Sequence, residues 1–253
     1  MNQSIELISI GTELLSGRTL NSHAQTLGAA LMTIGLRLSR DTTVPDEIET
    51  IQSAVREAFE RVDIAVVSGG LGPTSDDITR EALAGLFNCK IVPSPEGLAA
   101  LRARFAARGF SVSPVSERMA LILEGAEPLI NSAGAAVAQR IFPDAGKVLF
   151  VVPGPPNEFA AVLHDHIVSW LCEQFPEATP LELRVLTTEG IGESDIATRL
   201  EAGNFQALET SIGFYPGSGK VEIRLTAPRE HLASLEAVER TLREILNDKL
   251  VAE

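Results

Sequence analysis

Cysteine, aromatic residues and basic side chains are all scarce in this sequence of 253 residues. The two cysteines, Cys89 and Cys172, lie far apart and outside any metal-ligand spacing, which argues against a disulfide scaffold and a cysteine zinc site. A reducing, cytoplasmic setting is the simplest interpretation. Aromatic residues make up 5% of the chain against 45% hydrophobic residues in all, so a core must be built largely from Ala, Leu, Val and Ile.

Positively charged residues are few in this sequence, and long apolar runs are absent. With 21 Lys and Arg against 34 Asp and Glu, the net charge is −13, which argues against broad contact with nucleic acid, because such contact relies on neutralising phosphates. No apolar run approaches the roughly 18 residues of a membrane span, and the N-terminal MNQSIELISIG lacks the basic and long apolar segments of a signal peptide. We therefore expect a soluble protein without nucleic-acid or membrane partners, whose acidic side chains are available for cations.

Short apolar runs alternate with amphipathic patterns in the first two thirds of the chain. The predicted strands span residues 5–10, 36–44, 63–67 and 148–152, and the predicted helices lie near residues 22–34, 46–61, 78–86, 97–108 and 159–171. Near-continuous apolar strands such as DIAVV are typical of a parallel sheet that is buried on both faces. The pattern predicts an α/β fold, a three-layer, doubly wound, mostly parallel sheet with helices on both faces.

The segment QFPEATP, residues 174–180, has two prolines and no periodicity, which predicts a domain boundary. Beyond it the pattern changes to a strand (LELRVLT), a helix, two strands around PGSGK and a final helix. That order predicts a small α+β unit. The expected domains are therefore residues 1–174 and residues 181–253.

Three polar, glycine-rich segments follow predicted strands. They are GTELLSG from Gly11, SGGLGPTSDD from Ser68 and PGPPNE from Pro153. In doubly wound sheets, ligands bind outside the carboxyl ends of the strands. These three segments are therefore the candidate binding site.

The second of these segments can be interpreted in two ways. Its glycines can take positive φ angles and let the backbone approach a ligand, and the following helix start favours phosphate, but the sequence is neither a P-loop nor GxGxxG. Asp76 and Asp77 would repel a phosphate unless Mg²⁺ or Mn²⁺ lay between the carboxylates and a diphosphate. Alternatively, one aspartate simply caps the helix. The residues themselves leave both interpretations open.

Other carboxylates near predicted strand ends are also ambiguous. Glu13 is either a loop carboxylate or a metal or ribose ligand, Asp46 caps a helix or binds a ligand, and Glu158 begins the long helix after PGPPN. His164 and His166 flank Asp165 in a possible metal cluster. Residues two apart on a helix do not share a face, however, so packing and solvent contact are the favoured interpretation.

The motifs together resemble a known family. GTELLSG with the later Asn21, GGLGPTSDDITREAL and PGPPNEF are similar to the N-terminal domain of the competence/damage-inducible CinA family, which belongs to the molybdopterin-binding, MoaB/MogA-like superfamily. TEGIGESDIATRL and SIGFYPGSGKVEIRLTA resemble the small α+β domain that follows it, so the resemblance covers nearly the whole chain. It implies homo-oligomers and a metal-dependent pyrophosphatase activity on ADP-ribose or a related nucleotide such as FAD.

The resemblance also implies a set of site residues. Asp76, Asp77 and Glu158 are the expected catalytic residues, and Asp46 and Asp77 the expected ligands of a divalent metal, Mg²⁺, Mn²⁺ or Co²⁺. The residues expected to bind a nucleotide or pterin are Gly11, Glu13, Asn21, Gly69, Gly70, Gly72, Thr74, Asn131, Gly134, Pro153 and Gly154.

The sequence departs from the family pattern in two places. Many members continue into a nicotinamide-mononucleotide deamidase domain, whereas this sequence stops at Glu253, so deamidation is not expected of it. After Asn131 and Gly134 the family carries a threonine and a proline, but here Ala135 to Ala138 follow without a hydroxyl or a proline turn. One alternative to the pyrophosphatase is therefore a non-catalytic pterin- or nucleotide-binding module. The resemblance to the wider superfamily implies another, molybdopterin adenylylation or metal insertion.

Overall fold

The structure, a computed structural model, describes residues 4–251. The chain divides into two compact units. Within the described residues, one comprises residues 4–31 and 36–176, and the other residues 32–35 and 177–251. The division after residue 176 falls within the segment that was predicted to separate two domains.

The larger unit contains one main sheet and its covering helices. Its strands are β1 (Ser4–Ile10), β2 (Arg37–Val44), β3 (Ile64–Ser68), β4 (Ile91–Pro93), β5 (Leu121–Leu123), β6 (Glu127–Leu129), β7 (Ala138–Ile141) and β8 (Val148–Val152). Its helices are α1 (Thr12–Leu15), α2 (His23–Thr33), α3 (Ile48–Arg61), α4 (Thr79–Phe87), α5 (Pro95–Ala107), α6 (Pro114–Glu117), α7 (Pro156–Val162) and α8 (Val168–Gln174). A 3₁₀ turn (Arg118–Ala120) precedes β5, and a π-helical turn (Leu163–Ile167) joins α7 to α8.

The main sheet has the strand order β2-β1-β3-β8-β7-β6. The first four strands are parallel, and β7 and β6 are antiparallel to their neighbours. Every residue of β1, β3 and β8 is buried, as expected for apolar strands in the middle of a parallel sheet. The predicted doubly wound, mostly parallel fold is confirmed.

Helices cover both faces of the sheet. On one face, Ala65 and Val67 of β3 share a core with Ile51 of α3 and Leu83 of α4. Successive strand residues point to opposite faces, so Phe150 of β8 lies on the other side, where its ring meets Trp170 of α8 at 5.4 Å. The carboxyl ends of β1, β3 and β8 therefore open between two helical layers.

An extended segment was also predicted at CKIVP, residues 89–93, and β4 lies within it. Three short strands were not predicted. They are β5, β6 and β7, each three or four residues long, too short for an alternating pattern to stand out. The segment GTELLSG, in which no helix was predicted, contains the single turn of α1.

The smaller unit is an antiparallel sheet with two helices. Its elements are β9 (Leu181–Glu189), α9 (Glu193–Ala202), β10 (Ser211–Pro216), β11 (Lys220–Pro228) and α10 (Leu232–Ile245), and its strand order is β10-β11-β9. Ile223 of β11, Ile196 of α9 and Leu235 of α10 share its core. The predicted α+β character is confirmed. Among residues 4–251, no helix is both long enough and apolar enough to cross a bilayer.

Candidate functional site

A pocket of about 590 Å³ lies at the carboxyl ends of β1, β3 and β8. Gly11, which follows β1, lines this pocket together with residues 69–72 after β3 and residues 153–156 after β8. The three segments that the sequence singled out therefore meet in one cavity, as the rule for parallel sheets requires.

Most of the predicted site residues line this pocket. They are Gly11, Glu13, Asn21, Asp46, Gly69, Gly70, Gly72, Asp76, Asp77, Pro153, Gly154 and Glu158. Of the predicted residues within the described chain, Thr74, Asn131 and Gly134 do not line it. The pocket wall also contains apolar side chains that were not predicted, among them Leu14, Leu20 and Met119.

The glycines of the second segment are required by the protein's own packing. Gly69 has φ 108° and Gly70 has φ 65°, in the left-handed region that favours glycine. A Cβ atom on Gly70 would lie 2.1 Å from Oγ1 of Thr79, and one on Gly69 would lie 2.3 Å from the carbonyl oxygen of Ile10. Close approach to a ligand is therefore not needed to explain these two glycines, although their backbone does line the pocket.

Asp77 stabilises the loop that precedes α4. Its Oδ1 accepts a hydrogen bond from the Gly72 amide at 2.8 Å, and its Oδ2 accepts from the Thr74 amide at 2.8 Å and from the Thr74 hydroxyl at 2.6 Å. The N-cap of α4 is Ile78, without a side-chain capping bond. The helix-capping interpretation is therefore wrong for this helix, because Asp77 closes the preceding turn instead. Thr74, predicted to contact phosphate, directs both of its donors to Asp77.

A buried arginine holds the same loop from behind. Arg80 is 1% exposed, and its guanidinium donates to the carbonyl oxygens of Leu71 at 3.0 Å and Gly72 at 2.9 Å. Burial lowers the pKa of Arg80. The peptide unit between Leu71 and Gly72 thus connects Arg80 to Asp77. Its carbonyl oxygen faces the Arg80 guanidinium, and its amide faces the Asp77 carboxylate. Arg80 was not predicted from the sequence.

Asp46 fixes the position of α1. Its Oδ2 accepts from the amide of Thr12 at 2.8 Å and from the Thr12 hydroxyl at 2.9 Å. The helix after Asp46 begins at Ile48 with Glu47 as its N-cap, so Asp46 does not cap it. By holding Thr12, Asp46 helps to place the neighbouring Glu13 in the pocket wall.

Glu158 is positioned by the segment from Asn131 to Gly134. The Asn131 side-chain amide donates to Oε2 of Glu158 at 2.7 Å, and its Oδ1 accepts from the amides of Ala133 and Gly134 at 3.0 Å each. A Cβ atom on Gly134 would lie 1.9 Å from Cδ of Glu158. Asn131 and Gly134 therefore lie behind the carboxylate rather than in the pocket wall. Burial raises the pKa of Glu158, although the Asn131 hydrogen bond opposes the shift.

The π-helical turn between α7 and α8 holds this segment in place. Nε2 of His166 lies 2.8 Å from the carbonyl oxygen of Ile130, and the Ser132 hydroxyl donates to Asp165 at 2.6 Å. Such turns are frequent at functional sites. Asp165 and His166 thus hold the segment on either side of Asn131. Within residues 4–251, no group of three or more His, Cys, Asp or Glu side chains is arranged to hold a metal ion.

Five carboxylates nevertheless share the pocket wall, and they are Glu13, Asp46, Asp76, Asp77 and Glu158. Among the described residues that line the pocket, none is Lys or Arg. Mg²⁺ is usually held by one or two carboxylates together with water and substrate phosphates, so it does not need a complete protein cage. The donor chemistry of this wall therefore fits a divalent cation.

The raised pKa of Glu158 leads to a stability prediction. Glu158→Gln is expected to raise the melting temperature at about pH 7.5 and to leave it unchanged at about pH 4. A raised pKa in the folded state means that the wild type loses stability as the pH rises through that pKa. Gln cannot ionise and still offers an oxygen to Asn131. Melting temperatures of the wild type and of Glu158→Gln, measured across this pH range, test the prediction. A wild-type melting temperature that rises relative to that of the variant as the pH increases would contradict it.

His23 is a second pocket residue that was not predicted from the sequence. It is 6% exposed and lies in the first turn of α2, where its amide donates to Oδ1 of Asn21 at 3.1 Å. Its side chain contributes to the pocket wall. Its position two residues after Asn21, which was predicted to bind a ligand, was the signal in the sequence that could have found it.

Two family models match the chain. "Probable molybdopterin binding domain" matches residues 6–173, and "Damage-inducible protein CinA KH domain" matches residues 183–252. A CinA-like protein of Synechococcus elongatus is 36% identical over 95% of this chain and 58% of its own length. A CinA-like protein of Gemmatimonas aurantiaca is 36% identical over 88% of this chain and 53% of its own length. The chain therefore spans between half and three fifths of these relatives.

A solved structure is similar to part of the chain. The crystal structure of the protein CinA with unknown function from Thermoplasma acidophilum is 32% identical, with a TM-score of 0.60 over 66% of this chain and 97% of that one. The motif resemblance is thereby confirmed along most of the sequence. The chain belongs to the CinA family and combines its molybdopterin-binding type of domain with its KH domain.

Proposed function

We propose that this chain is a metal-dependent pyrophosphatase that hydrolyses the diphosphate of ADP-ribose or of a related nucleotide such as FAD. The observation that carries the proposal is the pocket wall, in which five carboxylates and a glycine-rich loop line one cavity at the carboxyl ends of three strands. A wall of carboxylates repels a diphosphate unless a cation lies between them. A divalent cation would neutralise the carboxylates, and the backbone of the glycine-rich loop would then be free to bind the phosphate groups.

The residues have distinct parts in this proposal. Asp76 is exposed at the pocket, and together with Asp46 and Asp77 it would hold the cation. When bound, a divalent cation polarises a phosphoryl oxygen and lowers the pKa of a water molecule. Asp77 and Arg80 also fix the loop, so the pocket wall is organised before a ligand enters.

Glu158 is the residue best suited to carry a proton. Burial raises its pKa, and a carboxyl group with a raised pKa is better suited to hold and release a proton during turnover than an ordinary one. Asn131 fixes the orientation of its carboxylate through the 2.7 Å hydrogen bond to Oε2. The apolar side chains of Leu14, Leu20 and Met119 give the same pocket a surface for a flat base.

One observation favours the alternative of a non-catalytic nucleotide- or pterin-binding module. Ala135 lines the pocket where the family pattern implies a threonine, so this part of the wall offers no side-chain hydroxyl. A pocket that binds the nucleotide without turning it over would keep the loop and the apolar surface.

A metal-dependence assay separates the two functions. We expect the purified chain to release AMP from ADP-ribose with Mg²⁺, Mn²⁺ or Co²⁺, and to release none after chelation. Binding of ADP-ribose without AMP release under every metal condition would contradict the pyrophosphatase and support the non-catalytic binding module. Release that persists after chelation would contradict the metal requirement. A titration with a pterin in the same buffers tests the ligand class.

A further inference from the structure

Two arginines lie behind the pocket wall and bind its backbone. Arg80 holds the peptide between Leu71 and Gly72, as described above. Arg104, in the last turn of α5, donates through Nη1 to the carbonyl oxygen of Ala133 at 3.0 Å and through Nη2 to that of Ser132. Neither arginine lines the pocket itself. Arg104 is therefore a cation near the site that the proposed function does not use.

The two carbonyls that Arg104 binds belong to peptide units whose amides face Asn131. The Ser132–Ala133 peptide donates its amide to Oδ1 of Asn131 at 3.0 Å. The Ala133–Gly134 peptide donates its amide to the same oxygen at 3.0 Å. The carbonyl and the amide of a trans peptide point in opposite directions, so Arg104 and Asn131 hold both units from opposite sides. A planar guanidinium can reach two adjacent carbonyls at once, whereas an ammonium group is a point charge.

These contacts decide which end of the Asn131 side chain faces Glu158. A backbone amide can only donate, so the acceptor Oδ1 must face the two peptides and the donor Nδ2 must face Glu158. Nδ2 donates to Oε2 of Glu158 at 2.7 Å. Since Nδ2 cannot accept a hydrogen bond, Oε2 remains an acceptor whether or not Glu158 is protonated. A proton on Glu158 therefore belongs on Oε1.

We propose that Arg104 is a positioning residue for Glu158. Through two peptide units and Asn131, it keeps Oε2 occupied as an acceptor and leaves Oε1 as the atom at which Glu158 gains and loses its proton. The inference rests on the proposed function only in assigning that proton to turnover. The arrangement of the hydrogen bonds does not depend on any activity.

Charged and titratable groups approach Glu158 from both sides of the wall. Those that line the pocket with it are Glu13 on α1, His23 on α2, Asp46 before α3, and Asp76 and Asp77 before α4. Those behind the wall are Arg104 on α5, and Asp165 and His166 in the π-helical turn. Burial raises the pKa of Glu158, whereas the Asn131 hydrogen bond and the charge of Arg104 both lower it. Loss of Arg104 removes its charge and loosens the Asn131 donor, so this pKa should rise further.

The pH dependence of stability tests the arrangement without any ligand. The melting temperature of Glu158→Gln minus that of its parent measures the stability that ionisation of Glu158 removes. In an Arg104→Met background, this difference should be larger at about pH 7.5 than in the wild-type background, and nearly absent at about pH 4. The reason is that a folded-state pKa raised further means more stability lost as the pH rises through it. A residue that only packs would lower both melting temperatures and leave their difference unchanged.

Arg102→Met is the matched control. Arg102 lies on the same helix, but its guanidinium bonds to Glu117 and not to the segment from Asn131 to Gly134. Its loss should leave the melting difference as it is in the wild-type background.

Kinetics test the atom that carries the proton. Arg104→Met should lower kcat by about tenfold or more with little change in KM, and should move the limb of the pH–rate profile that reports Glu158 to higher pH. Arg104→Lys should resemble Arg104→Met, because an ammonium group does not reproduce the fork. Asn131→Asp keeps an acceptor for the two amides but places an oxygen opposite Oε2, which draws the proton away from Oε1. Its kcat should fall by about 100-fold or more at every pH.

The outcomes separate this inference from the proposed function. A larger melting difference in Arg104→Met, with no AMP release by the wild type under any metal condition, supports the role of Arg104 and removes the pyrophosphatase. AMP release with an unchanged difference in Arg104→Met, or with the same increase in Arg102→Met, overturns the role of Arg104 alone. Wild-type kinetics in Arg104→Lys would overturn the route through the two peptides. A wild-type kcat in Asn131→Asp would overturn the assignment of the proton to Oε1.

Discussion

Asp76→Asn is expected to lower metal-dependent AMP release by about 100-fold or more, which corresponds to roughly 2.7 kcal/mol of transition-state stabilisation. A hydrogen bond from the Thr74 side chain lowers the pKa of Asp76, but the side chain is exposed, so the substitution should lower the melting temperature in metal-free buffer only slightly. Asn keeps the shape of the side chain but loses the anionic oxygen that a hard cation prefers. Turnover with saturating metal and ADP-ribose, together with metal-free melting curves, measures both effects.

Asp77→Asn, at the neighbouring position, should have a different effect from Asp76→Asn. Asp77 accepts three hydrogen bonds through its two carboxylate oxygens. Asn has one acceptor oxygen, and its amide nitrogen would face an N–H donor of Gly72 or Thr74. An unsatisfied donor there costs about 1–3 kcal/mol, so Asp77→Asn should lose both turnover and metal-free stability.

Comparing Asp76→Asn with Asp77→Asn distinguishes a residue that only binds the metal from one that also stabilises the loop. Full turnover in Asp76→Asn would remove Asp76 from the proposed metal site. An unchanged melting temperature in Asp77→Asn would show that its hydrogen bonds do not stabilise the loop. A double substitution would mix the two effects, which is why the single variants are compared.

Gly134→Ala is expected to reduce turnover by about 100-fold or more without unfolding the protein. The new methyl group would occupy the place of the Glu158 carboxyl group, since a Cβ atom at this position would lie 1.9 Å from Cδ of Glu158. Glu158 is a partly exposed side chain that can rotate away, so the backbone need not move. A displacement of about 1 Å at a reacting group is enough for a loss of about 100-fold.

Gly28→Ala provides the matched control for this substitution. Gly28 lies inside α2, and a Cβ atom there would meet no heavy atom within 4 Å. Alanine should stabilise that helix by about 0.5–1 kcal/mol and leave turnover unchanged. Wild-type AMP release from Gly134→Ala would show that the position of Glu158 does not matter for the reaction.

The sequence predicted those parts of the site that follow from local pattern. Apolar runs identified β1, β3 and β8, and the rule for parallel sheets then placed the segments after them at a common edge. Contacts between distant residues were not accessible in this way. Ser68 and His23 are 45 residues apart, and Asp46 bonds to Thr12 across 34 residues.

Local rules also failed where a tertiary contact changed the outcome. Two aspartates before a helix pattern suggested a cap, but the helix begins after Ile78 because Asp77 is committed to the Gly72 and Thr74 amides. Arg80 looked like an ordinary helix residue, yet it is enclosed by the loop whose carbonyls it binds. Neither arrangement has a sequence period that could reveal it.

The π-helical turn in the long helix is geometrically a one-residue insertion. One extra residue rotates everything after it by about 100° relative to a regular α-helix, because each residue of such a helix accounts for that angle. Glu158 precedes the turn and faces the pocket, whereas Trp170 follows it and packs on Phe150. Because of the insertion, the same helix directs Glu158 to the pocket from its first turn and Trp170 to the core from its last. With that residue deleted, the helix could keep Glu158 or Trp170 in its present direction, but not both.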